Sequence, residues 1–293
     1  VKNIAFALAF AMLLPTYLPS GRAHATSIED PKTVALLGYA GDRFQLVRKR
    51  EAVGSNQSPY VRKEVKLKGP ELSRLVLAGL DKAAEVAFPA AQRVQLEWQP
   101  DEALLSQLDS VRGSRREAMM EAAVLAHLRA LPQRQEWDQI IVVLPKFQFS
   151  DAKGLGGQLM GMGVYVQPLE KSQLDVNGLS LDPLPSDSSD DPAAINPATG
   201  ERVTAFRYTA PYFFFQTLTL DAKSLMVLKR VVRLDNLKYA NPDDQHRGSQ
   251  ADLSSDLLAK AMGRLVERSA MRTVGGDVTV GPVKPVAPAP KQP

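Results

Sequence analysis

The stretch WDQIIVVLPKFQFSDAKGLGGQLMGMG, Trp137 to Gly163, decides how the rest of the chain is read. Its apolar run, Ile140-Ile141-Val142-Val143-Leu144, is β-branched and carries no polar alternation. A run of this kind is a strand buried on both faces, so it belongs at the centre of a sheet with cover on either side. Pro145 closes the run, and a glycine cluster follows.

Upstream, Ser114-Arg115-Arg116-Glu117 has the S-x-x-E form of a capping box and opens an Ala- and Met-rich helix to Leu131, where Pro132 stops it. A helix feeding a buried strand through the short link Gln133–Glu136 is an α/β unit. Pro70 to Phe88 is the clearest helix. Leu72, Leu75, Val76, Gly79, Leu80, Ala83, Ala84 and Ala87 fall on one stripe, and Pro89 ends it. A shorter helix is expected from Pro100 to Val111 and a strand from Arg93 to Trp98. Further upstream, Thr33–Tyr39 (TVALLGY) reads as a strand, with Phe44–Lys49 as its hairpin partner across the Gly41-Asp42 turn. Tyr60 to Lys68 alternates as a half-exposed strand.

Downstream, Val164–Leu169 is a further strand. Asp175 to Gly200 is rich in Pro, Asp and Ser and poor in aromatics, which is the composition of a flexible loop. Two β-branched and aromatic runs, ending and restarting around Asp221-Ala222-Lys223-Ser224, make an antiparallel hairpin between Val203 and Leu234. A last helix runs from about Ala251 to Met271. The expected fold class is therefore α/β: a single three-layer-like domain over 26–274 with a mixed β-sheet, a late antiparallel hairpin and a C-terminal helix. Residues 275–293 form a Pro-rich tail.

Residues 1–25 fit a cleaved signal peptide. Lys2 gives a positive start, Ile4–Leu14 an apolar segment too short for a bilayer anchor, and Ala23-His24-Ala25 a small-x-small cleavage site. There is no cysteine anywhere, so neither a lipoprotein anchor, nor a disulfide, nor a thiolate site is available. The expected location is the bacterial periplasm or the exterior, with no integral membrane segment left after cleavage. Removing 1–25 takes away Lys2 and Arg22 and no acid, so the formal charge of +4 falls to +2. That balance does not suit a nucleic-acid partner.

The glycine cluster follows a buried strand, where α/β folds place ligands. Neither phosphate motif fits. Leu159 stands where G-x-G-x-x-G needs its last glycine, and Met162-Gly163 stands where a Walker loop needs Lys and Ser or Thr. What remains is a ligand or partner loop: Lys146, Gly154, Gly156, Gly157, Gly161 and Gly163. A second candidate is a basic face made by Arg48, Lys49, Arg50, Arg62, Lys66 and Lys68. It suits an anionic polymer, a lipid surface or an acidic envelope protein. The simpler reading, which we prefer, is a solvated strand whose lysines blunt a sheet edge.

Only His127 and His246 remain after residue 25, and each stands alone, so neither a His-rich metal site nor a serine triad is expected. Asp182, Asp187, Asp190 and Asp191 lack calcium-loop spacing. No cofactor and no metal is expected. The element order is similar to that of small α/β domains in bacterial envelope proteins, such as the amino-terminal domain of TolB and the curli-secretion type. The likeness is carried by the IIVVLP strand, Ile140–Pro145, and by TLTLDAKSLMVLKRVV, Thr217–Val232. It implies a fold and brings no functional motif. The expected function is a non-enzymatic binding or accessory module of the envelope. The alternative is a hydrolase using carboxylates on an envelope polymer, since two such acids can come from anywhere in a chain.

Overall fold

The computed structural model describes residues 30–49, 60–67, 69–147, 159–168, 194–203, 207–240 and 253–275. The strands are β1 (Thr33–Gly38), β2 (Arg43–Lys49), β3 (Tyr60–Lys66), β4 (Gln92–Leu96), β5 (Gln139–Pro145), β6 (Met162–Pro168), β7 (Ala194–Ile195), β8 (Arg202–Val203), β9 (Arg207–Asp221) and β10 (Val227–Asn236). The helices are α1 (Glu71–Ala87), α2 (Glu102–Ser110), α3 (Gly113–Ala130) and α4 (Ser255–Val274), with a 3-10 turn at Pro132–Glu136.

Eight strands form one mixed sheet, and β7 with β8 forms a small antiparallel pair. The 15-residue β9 is its longest strand. Gln216 of β9 pairs with Leu144 of β5 and with Val232 of β10, so those two strands lie on opposite edges of it. Phe213 pairs likewise with Met162 of β6 and Asp235 of β10. It follows that β5 and β6 lie end to end along the same edge of β9. They are one long antiparallel strand, interrupted between Lys146 and Gly161. Its neighbour repeats the arrangement: β1 runs parallel to β5, and β2 runs parallel to β6. β4 then flanks β1, and β3 flanks β2.

The sequence reading of β1 and β2 as a hairpin is therefore corrected. The two do not pair with each other. Gly41, at φ +96°, bends the chain without reversing it, and each strand finds its partners further along the sequence. The late hairpin is present as β9 and β10, turning at Ala222–Ser224.

Both faces of the β1/β5 half are covered, which gives three layers. Val34 and Leu36 of β1, and Ile141 and Val143 of β5, pack with Val76, Leu80, Leu265 and Val266 of α1 and α4. The alternate residues Ala35, Leu37, Ile140, Val142 and Leu144 pack with Leu108 of α2 and with Met120, Val124 and Leu128 of α3. This is why the run at 140–144 needs no polar residue: in a strand, successive side chains go to opposite faces, and here both faces are dry. Phe213 and Phe215 of β9 stack on the α1/α4 side, with ring centroids 4.4 Å apart. The β2/β6 half carries a separate cluster built on Val47, Tyr165, Tyr208 and Tyr212.

Candidate functional site

The interruptions in the two long strands fall side by side, at the carboxyl ends of β1 and β5. In an α/β sheet this is where ligands tend to bind. The break in β5/β6 is closed at its neck by backbone hydrogen bonds. The Gly161 amide donates to the Lys146 carbonyl at 2.7 Å. The Lys146 amide donates to the Phe214 carbonyl at 2.9 Å, and the Phe214 amide donates to the Gly161 carbonyl at 2.7 Å. Lys146 and Gly161 thus meet at one point beside Phe214.

Side chains from the first turns of α3 hold both breaks. The α3 helix begins at Gly113 (φ +57°), and Arg112, its flanking residue, makes no side-chain cap. The capping-box reading of Ser114 and Glu117 is corrected accordingly: Glu117 turns inward. One of its oxygens accepts the Phe147 amide at 2.7 Å, and the other is paired with the Lys146 ammonium. Arg116, its neighbour, is also buried. Its guanidinium donates to the Leu108 carbonyl at the end of α2 (2.9 Å) and to Asp42 in the β1/β2 bend (2.8 Å). It also lies over the Phe147 ring, 4.5 Å from the centroid. One turn on, Glu121 takes both forks of Arg230 from β10, at 2.7 and 2.8 Å, and accepts from Gln216 of β9 at 3.2 Å. Three further pairs extend the rim. Arg43 bonds Glu64 at 2.7 Å and pairs with Asp109, and Lys66 reaches Asp109 at 2.7 Å.

The electrostatics follow from this pairing. Hydrogen bonding to Lys66, with the Arg43 charge beside it, holds the Asp109 carboxyl below its ordinary range. Arg230 does the same for Glu121. Burial drives the Tyr39 hydroxyl well above the usual phenol range, and the Asp42 charge adds to the effect. That hydroxyl has no hydrogen-bond partner, while the Tyr39 ring packs edge-on against Trp98 at 5.3 Å.

Of the sequence-derived loop residues, Lys146 and Gly161 form the neck itself. Gly163 is set by packing: a Cβ there would stand 2.2 Å from the Gln45 carbonyl oxygen of β2. Gly154, Gly156 and Gly157 lie outside the described residues, as do Asp182, Asp187, Asp190, Asp191 and His246. The basic face is distributed along the outer strands. Arg48 is exposed on β2, and Arg62 and Lys66 lie on the edge strand β3. Lys49 closes β2 opposite Tyr60, while Arg50 and Lys68 fall outside the described residues. His127 is half-buried near Trp98, and burial lowers its pKa.

Sequence reasoning missed the three pairs that α3 makes, Arg116 with Asp42, Glu117 with Lys146 and Glu121 with Arg230. A signal for them does exist. On α3, Glu117 and Glu121 interleave with Met120, Val124 and Leu128, the inward stripe. Acids on the buried side of a helix need partners. Among the described residues no cluster of His, Asp and Glu is disposed to hold a metal ion, and no helix is long and apolar enough to cross a membrane. Neither a protein-family model nor a curated protein matches the chain.

Proposed function

We propose that this protein is an exported, non-enzymatic binding module of the bacterial cell envelope, and that its partner engages the rim where β1 and β5 end. The observation that carries this reading is the closed neck at Lys146 and Gly161, pinned by Glu117. Residues joined to a rigid sheet at a closed neck are positioned by the scaffold, and recognition residues are commonly placed so. The export part rests on the order of charges, apolar residues and small residues in 1–25.

The rim carboxylates favour binding over the hydrolase alternative. A general acid needs a raised pKa, usually from burial without a counter-charge. Here Asp109 and Glu121 are shifted down, and Asp42 and Glu117 each face a cation. Such pairs position strands well and transfer protons poorly.

The test is capture from a bacterial envelope extract with residues 26–293 as bait, beside the variants Lys146→Glu and Arg48→Glu. A specific protein or polymer should be retained by the wild type and by Arg48→Glu, and lost about 10-fold or more with Lys146→Glu. Retention lost only with Arg48→Glu would move the site to the basic face. No retained species at all would sink the proposal.

A further inference from the structure

The ribbon formed by β2 and β3 has one face that the fold uses and one that it leaves bare. Strand alternation sorts its residues. Arg43, Gln45 and Val47 of β2 stand opposite Lys66, Glu64 and Arg62 of β3. On that face Gln45 and Val47 are buried, Arg43 holds Glu64 and Asp109, and Lys66 holds Asp109. Glu64 is the only acid in either strand, and Arg43 occupies it.

The other face carries Phe44, Leu46 and Arg48 opposite Val65, Lys63 and Val61. Phe44 packs against the α1/α4 core. Beyond it Leu46 (38% exposed) and Val65 (46%) stand in solvent as diagonal neighbours. Arg48 and Lys63 are the next diagonal pair. Both are exposed, and neither has an ion pair or a side-chain hydrogen bond among the described residues. The basic face read from the sequence is thereby divided: Arg62 and Lys66 belong to the first side, Arg48 to the second.

Edge-blunting accounts for Lys63, but it does not account for two bare aliphatic side chains beside two unpaired cations. Diagonal residues on a strand pair lie about 7–8 Å apart, close enough for like charges to repel when no acid stands between them. The arrangement calls for an occupant that sets anionic groups against an apolar body. A second copy of this face brings only more cations. A soluble anionic polymer satisfies Arg48 and Lys63 and leaves Leu46 and Val65 wet. Protein interfaces centre on aromatic anchors, and the one ring on this face, Phe44, is turned into the core. A bilayer with anionic headgroups supplies both parts. Its phosphates meet the cations, its acyl boundary takes the aliphatic side chains, and the long Arg and Lys stems lie along that boundary.

We propose that this face of the β2/β3 ribbon docks on an anionic phospholipid bilayer, with Arg48 and Lys63 on headgroup phosphates and Leu46 and Val65 at the acyl boundary. The inference does not rest on the partner site at the rim, and its test contains no envelope partner.

Flotation of residues 26–293 with lipid vesicles tests it. Phosphatidylcholine vesicles with about 30% phosphatidylglycerol should carry the protein at about 0.1 M NaCl and release it at about 0.5 M. Vesicles of phosphatidylcholine alone should not carry it. Arg48→Glu/Lys63→Glu should weaken binding about 10-fold or more. Leu46→Ser/Val65→Ser keeps every charge and should weaken it about fivefold. Lys223→Glu/Lys229→Glu changes the net charge as much as the first variant, at exposed positions of the β9/β10 hairpin, and should bind as the wild type does. Melting temperatures within about 3 °C of the wild type show that the variants are folded. Absence of wild-type binding overturns the proposal. So does an equal loss in the Lys223/Lys229 variant, which reduces the effect to net charge. Undiminished binding by the Leu46/Val65 variant overturns it too, because the face would then suit a soluble anionic polymer.

Discussion

On the α1/α4 face, helix and strand approach until only glycine fits; on the α2/α3 face, charge pairs are added to the apolar layer. A Cβ at Gly38 of β1 would stand 2.8 Å from the Leu77 amide nitrogen of α1, and one at Gly79 of α1 would stand 2.8 Å from Val266 of α4. Opposite, Arg116, Glu117 and Glu121 of α3 reach into the sheet and bind Asp42, Lys146 and Arg230. Apolar contact is non-directional and supplies stability in proportion to area. A charge-assisted hydrogen bond fixes a particular atom in a particular place. Both faces thus supply apolar burial, and the α2/α3 face adds the pairs that set position. The candidate site lies on that face, where the two long strands break.

The contrast predicts a graded series of effects. The largest should come from the apolar layer under α1 and α4. Ile141→Ala removes a side chain packed beneath α1 and α4 and should cost about 3–5 kcal/mol in denaturant unfolding. A loss below about 1 kcal/mol would mean that this layer adds little to stability. Next comes Glu117→Ala, which leaves Lys146 without its acid and the Phe147 amide without its acceptor. It should cost about 2–4 kcal/mol, and exchange at the Gly161 amide should quicken with it. A stability loss with no change at Gly161 would separate Glu117 from the neck.

Gly79→Ala should cost about 1–3 kcal/mol through overpacking against Val266 and Glu267, despite the better helix propensity of alanine. A stabilised variant would show that α4 can retreat. The pH response belongs to the charged side. Asp109 and Glu121 have folded pKa values below their unfolded ones, so their contribution is complete above about pH 4.5 and is lost as pH falls through the folded values. The lowered pKa of His127 acts with the same sign from about pH 6.5 downward, because the fold favours its neutral form. His127→Gln should remove the upper part of that acid decline in melting temperature and leave the lower part. The smallest change should be Thr217→Val, which breaks the 3.2 Å contact with Thr273 and should cost about 1 kcal/mol by chemical denaturation.

Much of the fold was legible because its strongest signals are local. The 140–144 run needed only its own residues to be placed at the centre, and Leu75–Ala84 only their spacing. The Tyr39–Asp42 bend was misread for the opposite reason. A glycine turn between two apolar runs looks the same whether the chain reverses or merely bends, and the difference is decided by β5 and β6, about a hundred residues away. The site was half legible. Lys146 was visible by position, at the end of a buried strand. Glu117 was hidden because the same S-x-x-E letters serve a cap, and its true partner is 29 residues distant.

The central proposal is that recognition takes place at the neck that Lys146 and Gly161 close. It is tested most directly by replacing residues 148–158 with Gly-Ser-Gly and measuring retention of the envelope partner together with the melting temperature. The account predicts a midpoint within about 3 °C of the wild type, because the neck stays closed, and loss of the partner. A folded variant that still retains the partner, or a variant that no longer folds, would contradict it.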